Sequence, residues 1–461
     1  MLSQWLDEAA LEREDEAPAL NEDIRADVCI VGGGYCGLWT ALALKQREPS
    51  LDIAIVEKKR CGDGASGRNG GFVLSWWRSF GALRKFCSTE DALRLAAASA
   101  DCVNEMASFC ATHAIDCDFR QDGWLWAATN QAQDGAWRSV IEALDRHQVR
   151  PFEEWSREQV AARSGSDRHL SGVFEASAAT VQPARLARGL RRAALQSGIQ
   201  IFENTPMRRF KRTRPPSIVT PHGSVTADKV VIAMNAWATA LPELRRSILV
   251  ISSDVVATER FPERLKSSGW ADGMAISDSR TLVNYYRTTR DGRVVFGAGG
   301  GFLSYGNRVG SKFDGATPRA AEVAGYFHQT YPAFGDVAIA AHWSGPIDRS
   351  LSGLPFFGRL GGRNDILYGL GFSGNGVGPT MLGAKILASL VLEARDQWSE
   401  CGLVRDGAGL FPREPMRYFG GAMVLNAKRR METLDDQGRK PGPWTRTIAG
   451  LAPVGLTKVK G

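Results

Sequence analysis

Two runs of glycine and other small residues hold the first chemistry that this sequence can offer. Val28-Cys29-Ile30-Val31-Gly32-Gly33-Gly34-Tyr35-Cys36-Gly37 contains Gly-x-Gly-x-x-Gly at Gly32, Gly34 and Gly37. Between a strand and a helix, the first glycine permits a tight turn and the second lets backbone approach a pyrophosphate. The third lets the helix pack closely on the strand. The helix start, around Tyr35 and Cys36, supplies unpaired N–H groups and partial positive charge for the phosphates. Glu57 stands twenty residues after Gly37, at the end of the next strand, with Lys58 beside it. Its carboxylate can accept from both ribose hydroxyls of an adenosine and would repel a 2′-phosphate. Strand, glycines, helix, strand and acid together predict a dinucleotide site.

The second run is Gly62-Asp63-Gly64-Ala65-Ser66-Gly67-Arg68-Asn69-Gly70-Gly71. A nicotinamide dehydrogenase has no need of another small-residue loop here. FAD is longer, and Gly64, Ala65, Ser66, Gly67, Arg68, Asn69, Gly70 and Gly71 can run against its pyrophosphate, ribityl chain and ring, with backbone N–H groups as donors. A surface loop is the alternative reading.

Gly34 to Gly71, with Gly-Ala-Ser-Gly-Arg-Asn-Gly-Gly, resembles the D-amino-acid-oxidase-type FAD-dependent oxidoreductases. It is most similar to the branch of γ-glutamylputrescine oxidases and aminophosphonate oxidoreductases. Gln4-Trp5-Leu6 and Ile24–Val28 are similar to the same branch, and the likeness covers about residues 1–400. Lys229–Trp237 resembles the family's second FAD strand, with Met234-Asn235 where Thr-Gly is usual, so Asn235 and Trp237 join the expected cofactor site. Met207-Arg208 would lie near the adenine. A third cluster, Leu370-Gly371-Phe372-Ser373-Gly374-Asn375-Gly376-Val377-Gly378-Pro379, runs from a strand into a helix. The resemblance points this helix start at the pyrimidine end of the flavin, where it would stabilise the negative charge of the reduced ring. Gly371, Ser373, Gly374, Asn375, Gly376 and Val377 are the residues implied, with Gly374, Asn375 and Gly376 as backbone donors. The Cys or His by which some relatives tether FAD is not at those positions, so the resemblance implies non-covalent FAD.

The same resemblance sets expectations for the substrate. Flavin amine oxidation moves a hydride equivalent from the C–H beside nitrogen to flavin N5, and water hydrolyses the imine. The protein must hold a neutral amine over the ring. His342-Trp343-Ser344-Gly345-Pro346-Ile347-Asp348 is similar to the family's Trp-x-Gly segment. It brings Gly345 to the cofactor and makes His342 a catalytic candidate. Amino-acid oxidases of the fold often have a carboxylate-clamping Arg two residues after that Gly; here the position is Ile347, and Arg349 is out of register. Tyr285 or Tyr286 is expected to touch substrate, with Arg287 as an anion partner; strand alternation puts Tyr285 and Arg287 on one face and Tyr286 on the other. Sheet packing is the equal alternative for all three. Trp76 and Trp77 either line the pocket or pack in the core. The reaction expected is oxidation of a small primary or secondary amine, including an anionic one such as an aminoalkylphosphonate or γ-glutamyl amine, with O2 or another electron acceptor. An amino-acid oxidase or dehydrogenase and an NAD(P)H-using flavin reductase are the alternatives. For the last, Gly297-Ala298-Gly299 does not open a helix, which argues against a second nucleotide site.

The elements that must position these residues are legible as a pattern. Ala26–Val31 and Leu51–Glu57 read as strands around a helix beginning near Leu38, a parallel crossover unit. Helices are expected over Ala92–Ala111, Gln131–His147, Val181–Ser197 and Gly376–Glu393. Strands are expected over Ile199–Glu203, Lys229–Ala233 and Asp365–Phe372, with a β-rich run from Ile248 to Gly299. The fold class is α/β, α+β overall: a Rossmann-like FAD-binding domain assembled from discontinuous segments, with an inserted antiparallel-sheet substrate domain. The segments are 26–80, 165–245 and 340–400 for the first and 81–164 and 246–339 for the second. An acidic arm, 1–25, and a basic extension, 401–461, flank them.

Composition agrees with a large globular core: 461 residues, 44% hydrophobic and 23% charged. Fifty glycines exceed the usual share of about 7%, and thirteen of them fall in the three clusters above. Net charge is +7, with nine acids and two arginines in residues 1–27 and eleven Lys/Arg against five acids after residue 400. No basic run exceeds Lys428-Arg429-Arg430, so small anions are favoured over nucleic acid. Lys458 and Lys460 with Trp444 are sparse. A tail packed on the body or in an oligomer contact is the simpler reading. No basic and apolar leader opens the chain and no stretch suits stable membrane insertion. The eight cysteines and six histidines lack metal-ligand spacing, so no metal is expected, and reduced thiols point to a cytoplasmic setting.

Overall fold

In the computed structural model, residues 3–11, 17–313, 315–406 and 409–453 are described; Lys458 and Lys460 lie outside them. Apolar β-branched runs buried on both faces build a parallel sheet. Ile24–Val31 is its centre, paired in parallel with Ser224–Ile232 on one side and Ile53–Val56 on the other. Ile366–Leu370 and Gln200–Phe202 extend it in parallel, and Phe356–Arg359 closes one edge antiparallel. The helices Tyr35–Arg47, Pro183–Gln196 and Pro379–Val391 pack beside one another on this layer. The strands end level, with Val31 opposite both Val56 and Ile232, and the turns that follow them share one edge of the sheet.

A second eight-stranded sheet is mostly antiparallel. Its order runs Ile339–Arg349, Leu249–Thr258, Val294–Ala298, Asn284–Thr288, Ala275–Asp278, Trp124–Ala128, Ser171–Glu175, Glu153–Trp155. Alternation divides its side chains. Tyr286 and Phe296 go to one face, packed with Trp270, Phe327 and Tyr331. Tyr285 goes to the other, toward the parallel sheet. Two strands differ from the segment boundaries read from sequence. Ser171–Glu175 and Ile339–Arg349 both pair in this second sheet, because their backbone partners are Trp124–Ala128 and Leu249–Thr258.

The expected helix over Gln131–His147 is shortened to Arg138–Asp145. Gly135 takes φ +70°, which ends any helix running through it, and the buried Gln133 amide instead bonds Thr129 Oγ1 and the Ser279 amide. Both flanking segments contain helices among the described residues. The acidic arm includes a helix, Gln4–Ala9, whose Trp5 and Leu6 are buried. The basic extension includes the helix Met416–Asp436. It docks through acids and an arginine: Arg280 donates to both Asp436 oxygens at 2.8 Å, the Leu282 amide donates to Glu432 at 2.8 Å, and Arg429 donates to Gly300 O at 2.6 Å.

Candidate active site

The turn after Ile24–Val31 shows why its glycines are needed. Gly32 has φ +113°, and a Cβ there would stand 2.5 Å from the Ala233 carbonyl oxygen; at Gly37 a Cβ would lie 2.0 Å from the Gly32 carbonyl oxygen. The helix can therefore start hard against the strand. The Tyr35 amide donates to Ser66 Oγ at 3.0 Å, which ties the first glycine turn to the second. Glu57 is half-buried, and desolvation pushes its pKa up. Its two oxygens accept one backbone N–H each, from Gly33 at 2.8 Å and Lys59 at 2.9 Å. Each oxygen keeps a lone pair for a ribose hydroxyl.

The second glycine loop is held from outside. Four successive carbonyls, those of residues 67 to 70, each accept from a side chain on the side away from the cavity. Ser3 Oγ donates to Gly67 O at 2.7 Å, Trp343 Nε1 to Arg68 O at 2.8 Å, Trp5 Nε1 to Asn69 O at 3.0 Å and Arg287 Nε to Gly70 O at 2.9 Å. Trp5 and Trp343 meet edge to face at 6.1 Å, and the Arg287 guanidinium lies 5.0 Å over the Trp5 ring. The loop's own Asn69 closes it inside, donating to Ala65 O and Ser66 O and accepting from the Gly71 amide. This brace fixes the loop's backbone along the cavity wall.

The wall belongs to a continuous cavity of about 1390 Å3. That exceeds the roughly 300–1,000 Å3 of a site for one small molecule, and it suits an extended dinucleotide with a substrate beyond it. Glu57, Lys58, Met207 and Arg208 line one end. Gly32, Gly34, Tyr35, Cys36, Gly64, Ala65, Ser66, Arg68, Asn69, Asn235 and Trp237 line the middle. Gly70, Tyr285, Gly345, Ile347, Ser373, Gly374, Asn375, Gly376 and Val377 line the region between the sheets. Asn235 adopts φ +46°, a conformation that asparagine tolerates better than most residues, so it serves where a glycine would be usual. Gly37, Gly67, Gly71 and Gly371 lie behind the wall and shape it without lining it. At the third glycine turn the Asn375 amide donates to Phe372 O at 3.0 Å. It is spent within the turn and is not the donor expected from sequence; Gly374 and Gly376 have no intramolecular acceptor among the described residues.

The four catalytic candidates separate. Tyr285 lines the cavity, its ring held edge to face on Phe72 at 5.7 Å and its hydroxyl 2.8 Å from Ser253 Oγ. A Cβ at Gly297 would stand 2.1 Å from this ring and one at Gly70 2.8 Å, so the tyrosine fits because both neighbours are glycine. Burial pushes its pKa up to about 12, which keeps the hydroxyl protonated. Tyr286 is a core residue on the far face, stacked on Phe296 at 4.8 Å and bonded to His169 Nε2 at 2.5 Å. Arg287 shares the face of Tyr285 but turns to Gly70 O and Val181 O; it positions the loop and is not an anion partner. His342 lies outside the cavity, because alternation along Ile339–Arg349 sends it to the side opposite Gly345. Trp76 and Trp77 also fall outside the lining and pack on the core.

Three lining residues carry no signal of spacing in the sequence. Asp348 accepts from the Gly371 amide at 2.6 Å, and burial raises its pKa to about 7. Arg349 faces the cavity with Ile347, its Nε buried and without a partner among the described residues; burial lowers its pKa to about 10. Arg78 follows the second glycine loop and lies 4.4 Å over the Trp126 ring.

Comparison with known proteins agrees with this geometry. Residues 27–390 match the family of FAD dependent oxidoreductases. A relative, the gamma-glutamylputrescine oxidoreductase of Escherichia coli (strain K12), is 32% identical over 377 residues, 81% of this chain and 85% of the relative. The fold is similar to that of glycine oxidase from Geobacillus kaustophilus, with a TM-score of 0.65 at 21% identity, covering 81% of this chain and 96% of the other. It is also similar to L-proline dehydrogenase from P. horikoshii, with a TM-score of 0.64 at 19% identity over 80% and 94% of the chains.

Proposed function

This chain belongs to the family of FAD-dependent oxidoreductases, and we propose that it oxidises a primary or secondary amine at the carbon beside nitrogen. The amine loses two electrons and two protons to become an imine, and water converts the imine to a carbonyl compound and a free amine. FAD, when bound, supplies the two-electron acceptor for this chemistry. The observation that carries the reading is the chamber between the two sheets, continuous with the cofactor cleft and walled by Tyr285, Ile347 and the third glycine turn. Tyr285 orients the substrate as a fixed, protonated hydroxyl. The sheet excludes water, and the residues of the glycine turns hold the cofactor. The relative named for γ-glutamylputrescine, itself an amine, supports the same class.

The cofactor is held without a covalent bond in this reading. Among the lining residues Cys36 is the one cysteine, and burial pushes its thiol up to about 12, far from a reactive thiolate. Acid precipitation is expected to release all of the yellow colour, and colour kept in the pellet contradicts it. Arg349 favours a second reading, an amino acid whose carboxylate sits close to the reacting nitrogen. Incubation with ω-amines and α-amino acids, in air and with an added artificial electron acceptor, with the carbonyl product trapped and weighed, separates the two. An aldehyde from the amines supports the first, an oxo acid the second, and no carbonyl from either rejects both.

A further inference from the structure

The chamber holds a second cation, Arg78, that no described residue pairs with. Arg78 sits in the short turn Trp77–Ser79, whose backbone is fixed on both sides. The Trp76 amide donates to Ser99 Oγ at 2.7 Å, and the Ser79 amide donates to Trp76 O at 2.8 Å. The guanidinium lies 4.4 Å from the centre of the Trp126 ring and 5.9 Å from that of Trp124, and the two indoles are stacked within 14° of each other. Among the described residues it makes no hydrogen bond and no ion pair. The carboxylate that acts on it most, Asp278, is already held by Arg280 at 2.8 Å. A guanidinium that faces the cavity with no counter-ion among the described residues keeps its planar fork open to an oxyanion. The aromatic platform orients that fork without occupying its N–H groups. Ser277 lines the same part of the cavity, and its Oγ accepts from Trp124 Nε1 at 2.9 Å, which leaves its O–H to donate.

The approach to this point is also basic. Arg84, Lys85 and Arg146 line the cavity beyond Arg78, against one acid, Glu142. Such a lining draws anions inward. Arg349 stands elsewhere, on the strand beside Ser350, whose amide donates to Ser373 Oγ of the third glycine turn.

We infer that Arg78, laid on Trp124 and Trp126 beside Ser277, is the anion-recognition residue of the substrate chamber. The amine that this enzyme oxidises therefore carries an oxyanion, carboxylate or phosphonate, remote from the reacting nitrogen. The inference rests on the amine-oxidation reading for the other end of the substrate.

The test uses purified holoenzyme and two kinds of probe. Amines carrying a remote carboxylate or phosphonate (ω-amino acids, aminoalkylphosphonates and γ-glutamyl-linked diamines) are compared with neutral alkylamines of matched length as anaerobic reductants. Butyrate and propylphosphonate, which have no amine to oxidise, are titrated against the oxidised flavin spectrum. Arg78→Met is expected to lower the preference for anionic over neutral amines about 30-fold, the fold-change for losing a charge-assisted contact of about 2 kcal/mol. It is expected to weaken butyrate or propylphosphonate equally, with FAD content and melting temperature retained. Arg78→Lys, which keeps the charge and most of the packing, is expected to restore part of both. The stronger of the two acid series identifies the oxyanion. Unchanged preference and unchanged anion binding in Arg78→Met overturn the inference while leaving amine oxidation standing. Loss of both in Arg349→Met alone overturns it in favour of that residue. Arg78-dependent anion binding without flavin reduction by any amine supports the anion site and rejects the amine reading.

Discussion

Asp348 and Arg349 are adjacent and oppositely charged, yet they do not pair. They leave the strand Ile339–Arg349 on opposite faces. Both reach the cavity lining, Asp348 held by the Gly371 amide and Arg349 with its Nε unpartnered among the described residues. The consequence for Asp348 has a definite sign. Its folded pKa, about 7, lies above the usual carboxylate value of about 3.9. The folded state therefore binds the extra proton between those values, and stability falls as pH rises through this window. The penalty is absent below about pH 4 and complete above about pH 7. Asp348→Asn, whose amide oxygen can still accept from Gly371, is expected to flatten the fall in denaturation midpoint between pH 4 and pH 7. A slope equal to that of the wild type counts against the buried carboxylate as its source. Glu57 gives a second prediction at this scale. Glutamine can accept with one oxygen where the carboxylate accepts with two, so Glu57→Gln leaves one backbone N–H or one ribose hydroxyl unmatched. An unpaired buried group costs about 1–3 kcal/mol, and FAD affinity is expected to fall about 10-fold or more by fluorescence titration. Glu57 was legible because its distance from Gly37 repeats a known geometry. Arg78 and Asp348 were not, since a lone Arg after two tryptophans and an Asp in a strand have no spacing that marks a site.

At the scale of elements, the second glycine loop depends on the N-terminal helix, 64 residues before it in sequence. Its composition announces a small-residue loop, but the reason it holds one shape is the set of donors behind residues 67 to 70. Those donors come from Gln4–Ala9 and its Ser3 cap, from Asn284–Thr288 and from Ile339–Arg349. Residues 1–25 read as an arm from sequence because six residues of helix are too few to show periodicity. For Arg287 an anion partner and sheet packing read equally from sequence, because alternation tells the face of a side chain and not its partner. Trp5→Phe and Trp343→Phe each keep the ring and remove one N–H donor. Each is expected to cost about 1–3 kcal/mol and to lower the FAD retained through gel filtration. Trp444→Phe, at a position 78% exposed, is expected to change neither. Normal FAD retention in both of the first two would show that the brace is not needed.

Over the whole molecule, two sheets of different construction meet at one cavity, and the clusters that were far apart in sequence line it together. That convergence was legible from the three glycine runs, because each marks the end of a strand. Two features were not. The pairing of Ser171–Glu175 and Ile339–Arg349 with the second sheet is a long-range choice that local pattern does not record. The docking of Met416–Asp436 through Glu432 and Asp436 is hidden beneath a basic average. Among the described residues no helix is long and apolar enough to cross a membrane. The basic approach lined by Arg84, Lys85 and Arg146 predicts a salt effect. Since screening sets in over about 8 Å at physiological ionic strength, the second-order rate constant for an anionic amine is expected to fall several-fold between low and 0.5 M salt. The rate for a neutral amine is expected to change little. Equal salt dependence for the two would remove the electrostatic role of the approach. The claim on which these readings rest is that an amine delivers its electrons to the bound flavin. Anaerobic mixing of the purified yellow protein with the amine panel tests it directly. The account predicts bleaching of the oxidised band near about 450 nm by at least one amine, with a carbonyl product in stoichiometric yield. A band that every amine leaves intact while NADH removes it would contradict the account and make the protein a flavin reductase.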